Sequence, residues 1–365
     1  MLFEDSLISR AHARREARVR PLYRARTPVR ISFAGGGTDV SPFPDREGGV
    51  VLSATINRFA HGLLRPRIDD RITVESYDLG VTLEYSAHDI PEMDGRLDLV
   101  KAVIARIADQ LGERRGVDVF LRSWAPAGSG LGGSSSLVVT LIGLLRDFHR
   151  LALTDYETAR LAWEIERIDL GLAGGLQDQY ASTFGGFNFI EFGSDGVLVN
   201  PLRVHRDVVL ELEENMVLCF TGSTRAGSSI IEDQTARYES ADADALSGLR
   251  MQKDLAVEMK AALLQARLNT FGELLDAAWQ HKKKMSPMIT TPLIDEAYNA
   301  AREAGAIGGK VTGAGGGGFM IFYCASGTRP KVVERLNALG LRESDFAFEP
   351  AGLTTWSYVE HDRLH

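Results

Sequence analysis

The sequence contains only two cysteines among 365 residues, and basic side chains are fewer than acidic ones. Cys219 and Cys324 each lie inside an apolar run, which predicts two buried thiols in a reducing compartment and argues against a disulfide or metal site. The formal net charge of -8 disfavours nucleic acid or an anionic membrane as the main partner, because either would repel the chain. Any anionic ligand must therefore be held by local features.

Long hydrophobic runs are also missing from the sequence. No stretch approaches the roughly 20 apolar residues of a membrane span, and residues 1–20 lack the apolar core of a signal peptide. We therefore expect a cytoplasmic protein without a membrane partner.

The composition, with 44% hydrophobic and 25% charged residues, is that of a globular protein, and the length favours two domains. Short β-branched alternations over residues 27–85 predict several strands, and apolar residues at helical spacing predict a helix over 97–112. A further helix is predicted from Asp155, its expected N-cap, to about Leu170. Strands and helices thus both occur in the first half.

The polar stretch around residues 204–214 is the predicted domain boundary. We divide the chain into an N-terminal extension (1–26), a first domain (27–207) and a second domain (208–365). In the second domain, helical patterns occupy 245–267, 271–280, 293–304 and 331–339, and strands are predicted at 346–348 and 354–358. Because no repeat is present and both halves mix helices and strands, the predicted fold class is α+β.

One segment, PAGSGLGGSSS, leads from a glycine-rich loop into an apolar helical pattern. The first N–H groups of a helix are unpaired and carry partial positive charge, so a glycine lead-in lets an anion such as phosphate approach closely. Serine hydroxyls add ligands for phosphate or Mg²⁺. The predicted phosphate-binding residues are Pro126, Gly128, Ser129, Gly130, Leu131, Gly132, Gly133, Ser134, Ser135 and Ser136. For this segment alone, a plain loop with a serine helix cap is an equal alternative, and the GKS or GKT of a P-loop is missing.

Two more glycine clusters favour ligand binding. ISFAGGGTDV follows a predicted strand, and GGKVTGAGGGGFMIF precedes one. Each ordered glycine loses ~0.5–1 kcal/mol in backbone entropy, and close approach of the backbone to a ligand is the usual compensation.

These three segments resemble the motifs of the GHMP kinases, the family of galactokinase, homoserine kinase and mevalonate kinase. PAGSGLGGSSS resembles the second motif, usually PxxxGLGSSAA, GKVTGAGGGG resembles the third, and RISFAGGGTD stands where galactokinase-like members have an RxNLIGEHTD-type segment. Together with IERIDLGLAGGLQDQYASTFGGFNFIEF, they are similar to the D-glycero-D-manno-heptose 7-phosphate kinases, which are sugar 1-kinases. The resemblance implies a two-domain GHMP-kinase fold with the active site in the cleft between the domains. It also implies ATP-dependent phosphorylation of the anomeric C1 hydroxyl to give a 1,7-bisphosphate.

The resemblance also implies roles for individual residues. Ser134 and Glu166 would hold Mg²⁺, because Gly133 stands where the first serine of the GLGSS pattern is common; without the resemblance, Glu166 would be a solvated helix carboxylate. Asp178 matches the base of galactokinase and mevalonate kinase, and the alternative is a helix cap. Arg30 would stabilise the transferred group, and the alternative is a strand-edge arginine that faces water.

A sugar phosphate needs a pocket for its hydroxyls and a basic site for its phosphate. The residues expected to bind the substrate are Gly36, Gly37, Thr38, Asp39, Gln177, Tyr180, Gly315 and Gly316. Lys310, Thr312 and the loop 313–318 are expected to support the nucleotide loop. For the phosphate, Arg225 is preferred over Lys282–Lys284, because a lysine run is more often a solvated helix end.

Single features of the sequence are also compatible with functions other than a heptose 7-phosphate kinase. FAGGGTDV after a strand suggests a dinucleotide-binding oxidoreductase, but its spacing is not G-x-G-x-x-G and no helix pattern follows. A nonenzymatic sugar or nucleotide sensor is disfavoured by the joint presence of Arg30, Glu166 and Asp178. An octose 7-phosphate or a free hexose such as fucose stay open as substrates, since one hydroxyl or methylene in an apolar site discriminates by only ~1–3 kcal/mol.

Overall fold

The structure is a computed structural model that describes residues 21–89, 91–112, 114–224 and 227–359. In chain order its elements are β1 (Pro21–Ala34), α1 (Phe43–Glu47), β2 (Gly49–Pro66), β3 (Arg71–Ser76), β4 (Val81–Ser86), α2 (Asp98–Leu111), β5 (Val117–Ser123), α3 (Gly133–His149), α4 (Asp155–Trp163), a π-helix (Glu164–Asp169), α5 (Gln177–Phe184), β6 (Phe187–Gly193), β7 (Gly196–Pro201), α6 (Arg206–Asn215), β8 (Met216–Phe220), α7 (Ser228–Glu239), α8 (Ala243–Leu264), α9 (Leu268–Met285), α10 (Pro292–Ala304), β9 (Ala306–Val311), β10 (Phe319–Cys324), α11 (Arg329–Ala338), β11 (Arg342–Glu343) and β12 (Thr354–Val359). The mixture of helices and strands in both halves confirms the predicted α+β class.

The described strands form two separate sheets. The larger has eight strands with the path β12-β1-β2-β5-β3-β4, and β6 joins it by pairing with β2 and β7. The long strand β2 makes this possible, because its first half pairs with β6 and its second half pairs with β5. The smaller sheet has the order β11-β8-β10-β9, and its strands are antiparallel.

The sheet pairing corrects two limits of the predicted domains. Residues 21–26 lie in β1 and pair with residues 354–359 of β12, so they are part of the larger sheet and not of an N-terminal extension. The same pairing returns the end of the chain to the first domain, because β12 covers the outer edge of β1. Residues 208–353 therefore contain the smaller sheet, and the following strand does not belong to it.

The larger sheet and the second half of the chain share a hydrophobic core. Val29 and Phe33 of β1 pack with Met259 of α8 and with Phe271 of α9, all of them inaccessible to solvent. Burial of such side chains stabilises by roughly 1.5–3 kcal/mol each, which fixes the second half against the larger sheet. Both cysteines are buried free thiols, as predicted, and burial raises the pKa of Cys324 to about 12.

Several predicted elements differ locally from the structure. Thr154, not Asp155, is the N-cap of α4, because its hydroxyl and the Glu157 carboxylate form a capping box. The polar stretch taken as a linker is mostly α6, which buries one apolar face. The predicted strand at 346–348 is irregular, and only Phe348 forms an isolated bridge. Among the described residues, no helix has the length and apolar character needed to cross a membrane.

Candidate active site

A deep cleft brings together segments that are far apart in the sequence. It is lined by β1 and the loop after it, the glycine loop before α3, the π-helix, the first turns of α5 and α7, α9, and the loop before β10. About 1510 Å³ of the cleft, its solvent-facing part included, is free of protein atoms, which is enough for a nucleotide and a second small molecule. The candidate site therefore draws on both halves of the chain.

The glycine loop ends in an uncapped helix start. Gly130 and Gly132 have φ values of 81° and 74°, and α3 begins at Gly133 without a side-chain cap. The third glycine cluster supports this loop: Phe319 donates its N–H to the Ser129 carbonyl at 3.0 Å. A Cβ atom at position 130 would lie only 3.0 Å from the nitrogen of Gly313, so the two loops touch through their backbones.

The predicted phosphate-binding residues divide into two groups in the structure. Six of them line the cleft: Gly128, Ser129, Gly130, Gly132, Gly133 and Ser134. The prediction is wrong for Leu131 and Ser136, which do not line the cleft. Leu131 is buried in the core, and the Ser136 hydroxyl donates to the carbonyls of Pro28 and Gly132. Pro126 and Ser135 also lie outside the cleft lining, because Pro126 forms the turn with Ser129 and Ser135 points toward the π-helix.

Asp178 and Arg30 form a close ion pair beside the glycine loop. Nε and Nη2 of Arg30 lie 2.7 and 2.5 Å from Oδ1 of Asp178, and Nη1 donates to the carbonyl of Gly130 at 2.7 Å. Arg30 is 3% exposed and so is not the water-facing strand-edge residue of the alternative interpretation. Asp178 lies in the first turn of α5 but does not cap it, and it lines the cleft. Its Oδ2 makes no hydrogen bond within the described part of the chain.

Glu166 lies at the same end of the cleft and is almost completely buried. α4 runs directly into the π-helix, which turns this carboxylate inward, where Ser135 donates its hydroxyl to Oε2 at 2.8 Å and the Gln179 amide donates to the same oxygen. Ser135 is therefore the serine that contacts Glu166 directly, whereas Ser134, the other predicted metal ligand, is exposed at the cleft wall. Burial raises the pKa of Glu166, and its Oε1 has no partner among the described atoms.

The loop after β1 places Asp39 in the same cleft, next to Gln177. Asp39 is 1% exposed and accepts hydrogen bonds from the Gly37 N–H at 3.0 Å and from the backbone and side chain of Gln177 at 3.1 and 3.2 Å. Burial nevertheless raises the pKa of Asp39. Only glycine fits at position 175, since a Cβ there would lie 1.9 Å from Oδ2 of Asp39.

Of the other predicted substrate residues, Gly36, Gly37 and Gly315 line the cleft, and three do not. Thr38 is inaccessible, and its hydroxyl donates to the carbonyls of Gly35 and Val50 to hold the turn. Tyr180 packs in a core cluster with the apolar side chains of β6 and β7. Gly316 donates its N–H to the Ile289 carbonyl at 2.8 Å and is turned away from the cleft. Arg225 lies outside the described residues.

The lysine run contributes a buried cation that sequence reasoning took for a solvated helix end. Lys282 is 4% exposed and lines the cleft from α9, and burial lowers its pKa to about 8. Lys310 supports this region from behind by donating to the Ser32 carbonyl at 2.8 Å. The helical position of Lys282, three residues after the core residue Trp279, was the one available signal that it faces inward.

The sequence analysis missed Ser32, Arg167 and Gln234, which also line the cleft. Arg167 is held against the carbonyls of Leu172 and Gly175 at 3.4 Å, beside Glu166. Ser32 lies two residues after Arg30 in β1. Because side chains two residues apart in a strand lie on the same face, the sequence could have placed Ser32 beside Arg30.

Both halves of the chain are similar to known proteins. The family model "GHMP kinases N terminal domain" matches residues 98–186, and "GHMP kinases C terminal" matches residues 259–340. The D-glycero-alpha-D-manno-heptose 7-phosphate kinase of Campylobacter jejuni is 38% identical over 91% of this chain and 98% of its own length. A crystal structure described as a D-glycero-D-manno-heptose 1-phosphate kinase from Bacteroides thetaiotaomicron superposes with a TM-score of 0.78 at 38% identity, covering 92% of this chain and 98% of the other.

A more distant relative is a larger protein. The L-fucokinase/L-fucose-1-P guanylyltransferase of Bacteroides fragilis is 28% identical over 81% of this chain, which spans 34% of that protein.

Proposed function

The chain belongs to the GHMP kinase family, and we propose that it is an ATP-dependent kinase that phosphorylates the anomeric C1 hydroxyl of a heptose 7-phosphate. The observation that carries this proposal is the Arg30–Asp178 pair beside the uncapped start of α3. It sets a carboxylate next to a helix end that can hold phosphate, and these are the two groups that a phosphoryl transfer to a hydroxyl requires.

The nucleotide is proposed to bind with its phosphates on the glycine loop. Gly128, Gly130 and Gly132 leave the backbone N–H groups accessible, and the partial positive charge of the α3 N-terminus favours the anion. Close packing against the loop before β10 holds these amides in place before ligand binds, which lowers the entropy lost on binding.

Asp178 is proposed to accept the proton of the attacking hydroxyl. Arg30 occupies Oδ1 and leaves Oδ2 free to receive the proton while the C1 oxygen bonds to the γ-phosphorus and the bond from phosphorus to the β–γ bridging oxygen breaks. The products are the sugar 1-phosphate, ADP and a proton. The guanidinium also lies close enough to the site to offset negative charge on the transferred group.

Glu166 and Ser134 are the residues that we propose for holding Mg²⁺. The unpartnered Oε1 of Glu166 and the exposed hydroxyl of Ser134 are oxygen ligands, which suit a hard cation. Within the described ranges, no group of three His, Cys, Asp or Glu side chains could hold a metal by itself, so phosphate and water would complete the coordination. When bound, Mg²⁺ would neutralise charge on the nucleotide phosphates.

The substrate assignment follows the relatives. Two proteins at 38% identity are named as heptose phosphate kinases, and the second polar end of the cleft, around Asp39, offers a carboxylate to accept hydrogen bonds from sugar hydroxyls. An octose 7-phosphate or a free hexose would use the same machinery.

The proposal is tested by ADP release with D-glycero-D-manno-heptose 7-phosphate, together with ³¹P NMR of the product. We expect a new anomeric phosphate, and we expect Asp178→Asn to lower kcat about 10³-fold with the Kd for ATP nearly unchanged. Asp195→Asn, at the exposed turn between β6 and β7, is the matched control. Wild-type protein that releases no ADP with any phosphorylated sugar contradicts the kinase proposal, and normal turnover by Asp178→Asn contradicts the base.

A further inference from the structure

The end of the cleft around Gly36 and Gly37 collects side-chain donors that lack partners. At the position of a Cβ on Gly36, the Ser32 Oγ would be 3.4 Å away and the Lys282 Nζ 3.7 Å away, so both point at this glycine. The side chain of Gln234 lies beside Gly37, where its Oε1 would be 3.6 Å from a Cβ. All three side chains line the cleft.

None of these three side chains has a hydrogen bond within the described part of the chain, and the ammonium of Lys282 reaches the cleft. The Ser32 hydroxyl belongs to a residue that is 2% exposed, and Nε2 of Gln234 to one that is 7% exposed; neither has a partner among the described residues. Lys282 makes no hydrogen bond or ion pair with any residue in the described part of the chain, and its side chain is also buried. An unpaired buried donor is destabilising, and an unpaired buried ammonium more so. The unpartnered side chains of Ser32, Gln234 and Lys282 at one place indicate that an acceptor-rich, negatively charged group binds there.

The start of α7 adds positive potential to the same place. Gly227, Ser228 and Ile231 line the cleft in the first turn of this 12-residue helix, which has no side-chain cap. The helix start therefore directs its partial positive charge into the cleft, as α3 does at the nucleotide loop. Gln234 extends the same wall by about two turns.

We propose that Lys282, Ser32 and Gln234 form a subsite for the distal phosphate of the sugar substrate, and that Lys282 makes the enzyme select a phosphorylated sugar over the free sugar. This inference rests on the proposed function and adds the group that decides the substrate class. The sequence analysis interpreted the lysine run as a solvated helix end. The present inference gives one lysine of that run a role in binding. Lys283 lies over the ring of Trp279 instead, and Lys284 is exposed.

The charges around Lys282 leave its ammonium without a paired carboxylate. Asp39 is the carboxylate that favours its protonated form, but that carboxylate already accepts three hydrogen bonds from Gly37 and Gln177. Burial, with a smaller contribution from the neighbouring Arg30 cation, lowers the pKa of Lys282 to about 8. A phosphate dianion at this point would stabilise the ammonium, so substrate binding and protonation of Lys282 would favour each other.

The experiment compares two substrates in two variants. Purified wild type, Lys282→Met and the control Lys284→Gln are assayed with D-glycero-D-manno-heptose 7-phosphate and with the same heptose lacking the phosphate. We expect Lys282→Met to lower kcat/KM about 100-fold for the phosphorylated sugar and less than threefold for the free sugar, with the KM for ATP unchanged. Lys284→Gln should match wild type with both. Ser32→Ala and Gln234→Leu should lower the same ratio to a smaller extent, which tests the subsite with milder changes, and thermal melts confirm folding.

The pH dependence gives a second readout. Lys282 is faced by Asp39, Arg30 and Lys310, and burial lowers its own pKa to about 8. For wild type, kcat/KM for the phosphorylated sugar should fall as pH rises through about 8, and Lys282→Met should lose this limb.

The outcomes separate this inference from the kinase proposal. If wild type turns over the sugar phosphate but Lys282→Met keeps its preference for the phosphorylated form, the subsite is wrong and the kinase proposal stands. An increased KM for ATP with unchanged sugar preference would place the ammonium on the nucleotide and would also overturn the subsite. If wild type has no kinase activity at all, the proposed function fails first.

Discussion

The two ends of the cleft differ in which groups are left without partners. At the proposed nucleotide end, around the start of α3, Arg30 pairs with Asp178 and Ser135 donates to Glu166, while Oε1 of Glu166 and the uncapped backbone N–H groups of the helix start have no partner within the described part of the chain. At the proposed sugar end, around Gly36 and Gly37, the N–H groups of Gly37 and Thr38 are hydrogen-bonded within the turn. The groups without partners there, among the described residues, are side chains from β1, α7 and α9. Backbone amides suit a phosphate chain that is common to every nucleoside triphosphate, whereas separate side chains can be chosen for one particular substrate.

The two ends also differ in how their unpaired groups affect the stability of the free protein. A helix end and a glycine loop hold their partial charges at little loss of stability, because exposed N–H groups stay solvated until a ligand replaces the water. An unpaired ammonium that is buried loses its hydration and gains nothing in return until an anion binds. The buried Lys282 at the sugar end should therefore lower the free energy of unfolding in the free protein.

The largest expected effect is on stability at the sugar end. A pKa lowered from 10.5 to about 8 corresponds to roughly 3 kcal/mol by which the folded state disfavours the charged Lys282. Because the folded pKa lies below the unfolded one, this destabilisation is complete below pH 8 and disappears as pH rises toward 10.5. Lys282→Met should therefore raise the free energy of unfolding by about 2–3 kcal/mol at pH 7, measured by urea denaturation. An unchanged or lower value would mean that the ammonium is solvated or paired.

The next effect concerns the nucleotide end. Glu166→Gln keeps the size of the side chain but removes the charge beside Ser135, so divalent-metal affinity should fall about 10–100-fold. Mn²⁺ binding followed by EPR in the presence of ATP measures this directly, without turnover. Glu164→Gln, at the start of the same π-helix and paired with Arg106 and Arg160 at the surface, is the matched control. Equal metal binding by both variants would remove Glu166 from the proposed metal site.

The sequence predicted the nucleotide end far better than the sugar end. PAGSGLGGSSS and GKVTGAGGGG are contiguous, so the loop, the helix start and the supporting third cluster could all be located before the structure was known. Within the loop, Ser134 lines the cleft and the errors concerned Ser135 and Ser136, because only the exact phase of the helix decides which hydroxyl faces the cleft. A shift of one residue turns a side chain by about 100° on a helix.

The sugar end could not be predicted in this way, because its side chains come from elements that are far apart in the sequence. Ser32 and Lys282 meet only when α9 packs on the face of β1, and nothing local to HKKKMS distinguishes Lys282 from its two neighbours except helical spacing from Trp279. The pairing of β12 with β1 escaped prediction for the same reason, since strands more than 300 residues apart carry no signal of their partner. Asp39 and Asp178 were identified from the family resemblance and not from pattern alone.

The smallest expected effect tests whether Gly132 of the glycine loop fixes the position of Asp178. This residue has a φ of 74°, and a Cβ there would lie 3.3 Å from Cγ and 3.4 Å from Oδ2 of Asp178. Gly132→Ala should lower the free energy of unfolding by about 1 kcal/mol through backbone strain, and it should also reduce kcat several-fold by moving the carboxylate. The measurements are urea denaturation and ADP release.

The control for this variant is Gly112→Ala. Gly112 ends α2 with a φ of 61°, and no atom lies within 4 Å of its Cβ position, so alanine there carries the same backbone strain without a neighbour to displace. The two variants should lose similar stability, but only Gly132→Ala should lose activity. If both lose activity equally, strain alone explains the effect and the contact with Asp178 has no role. If only Gly132→Ala loses activity, then a phosphate-loop glycine also fixes the position of the proposed base, and the nucleotide end helps to set the geometry at which the sugar hydroxyl reacts.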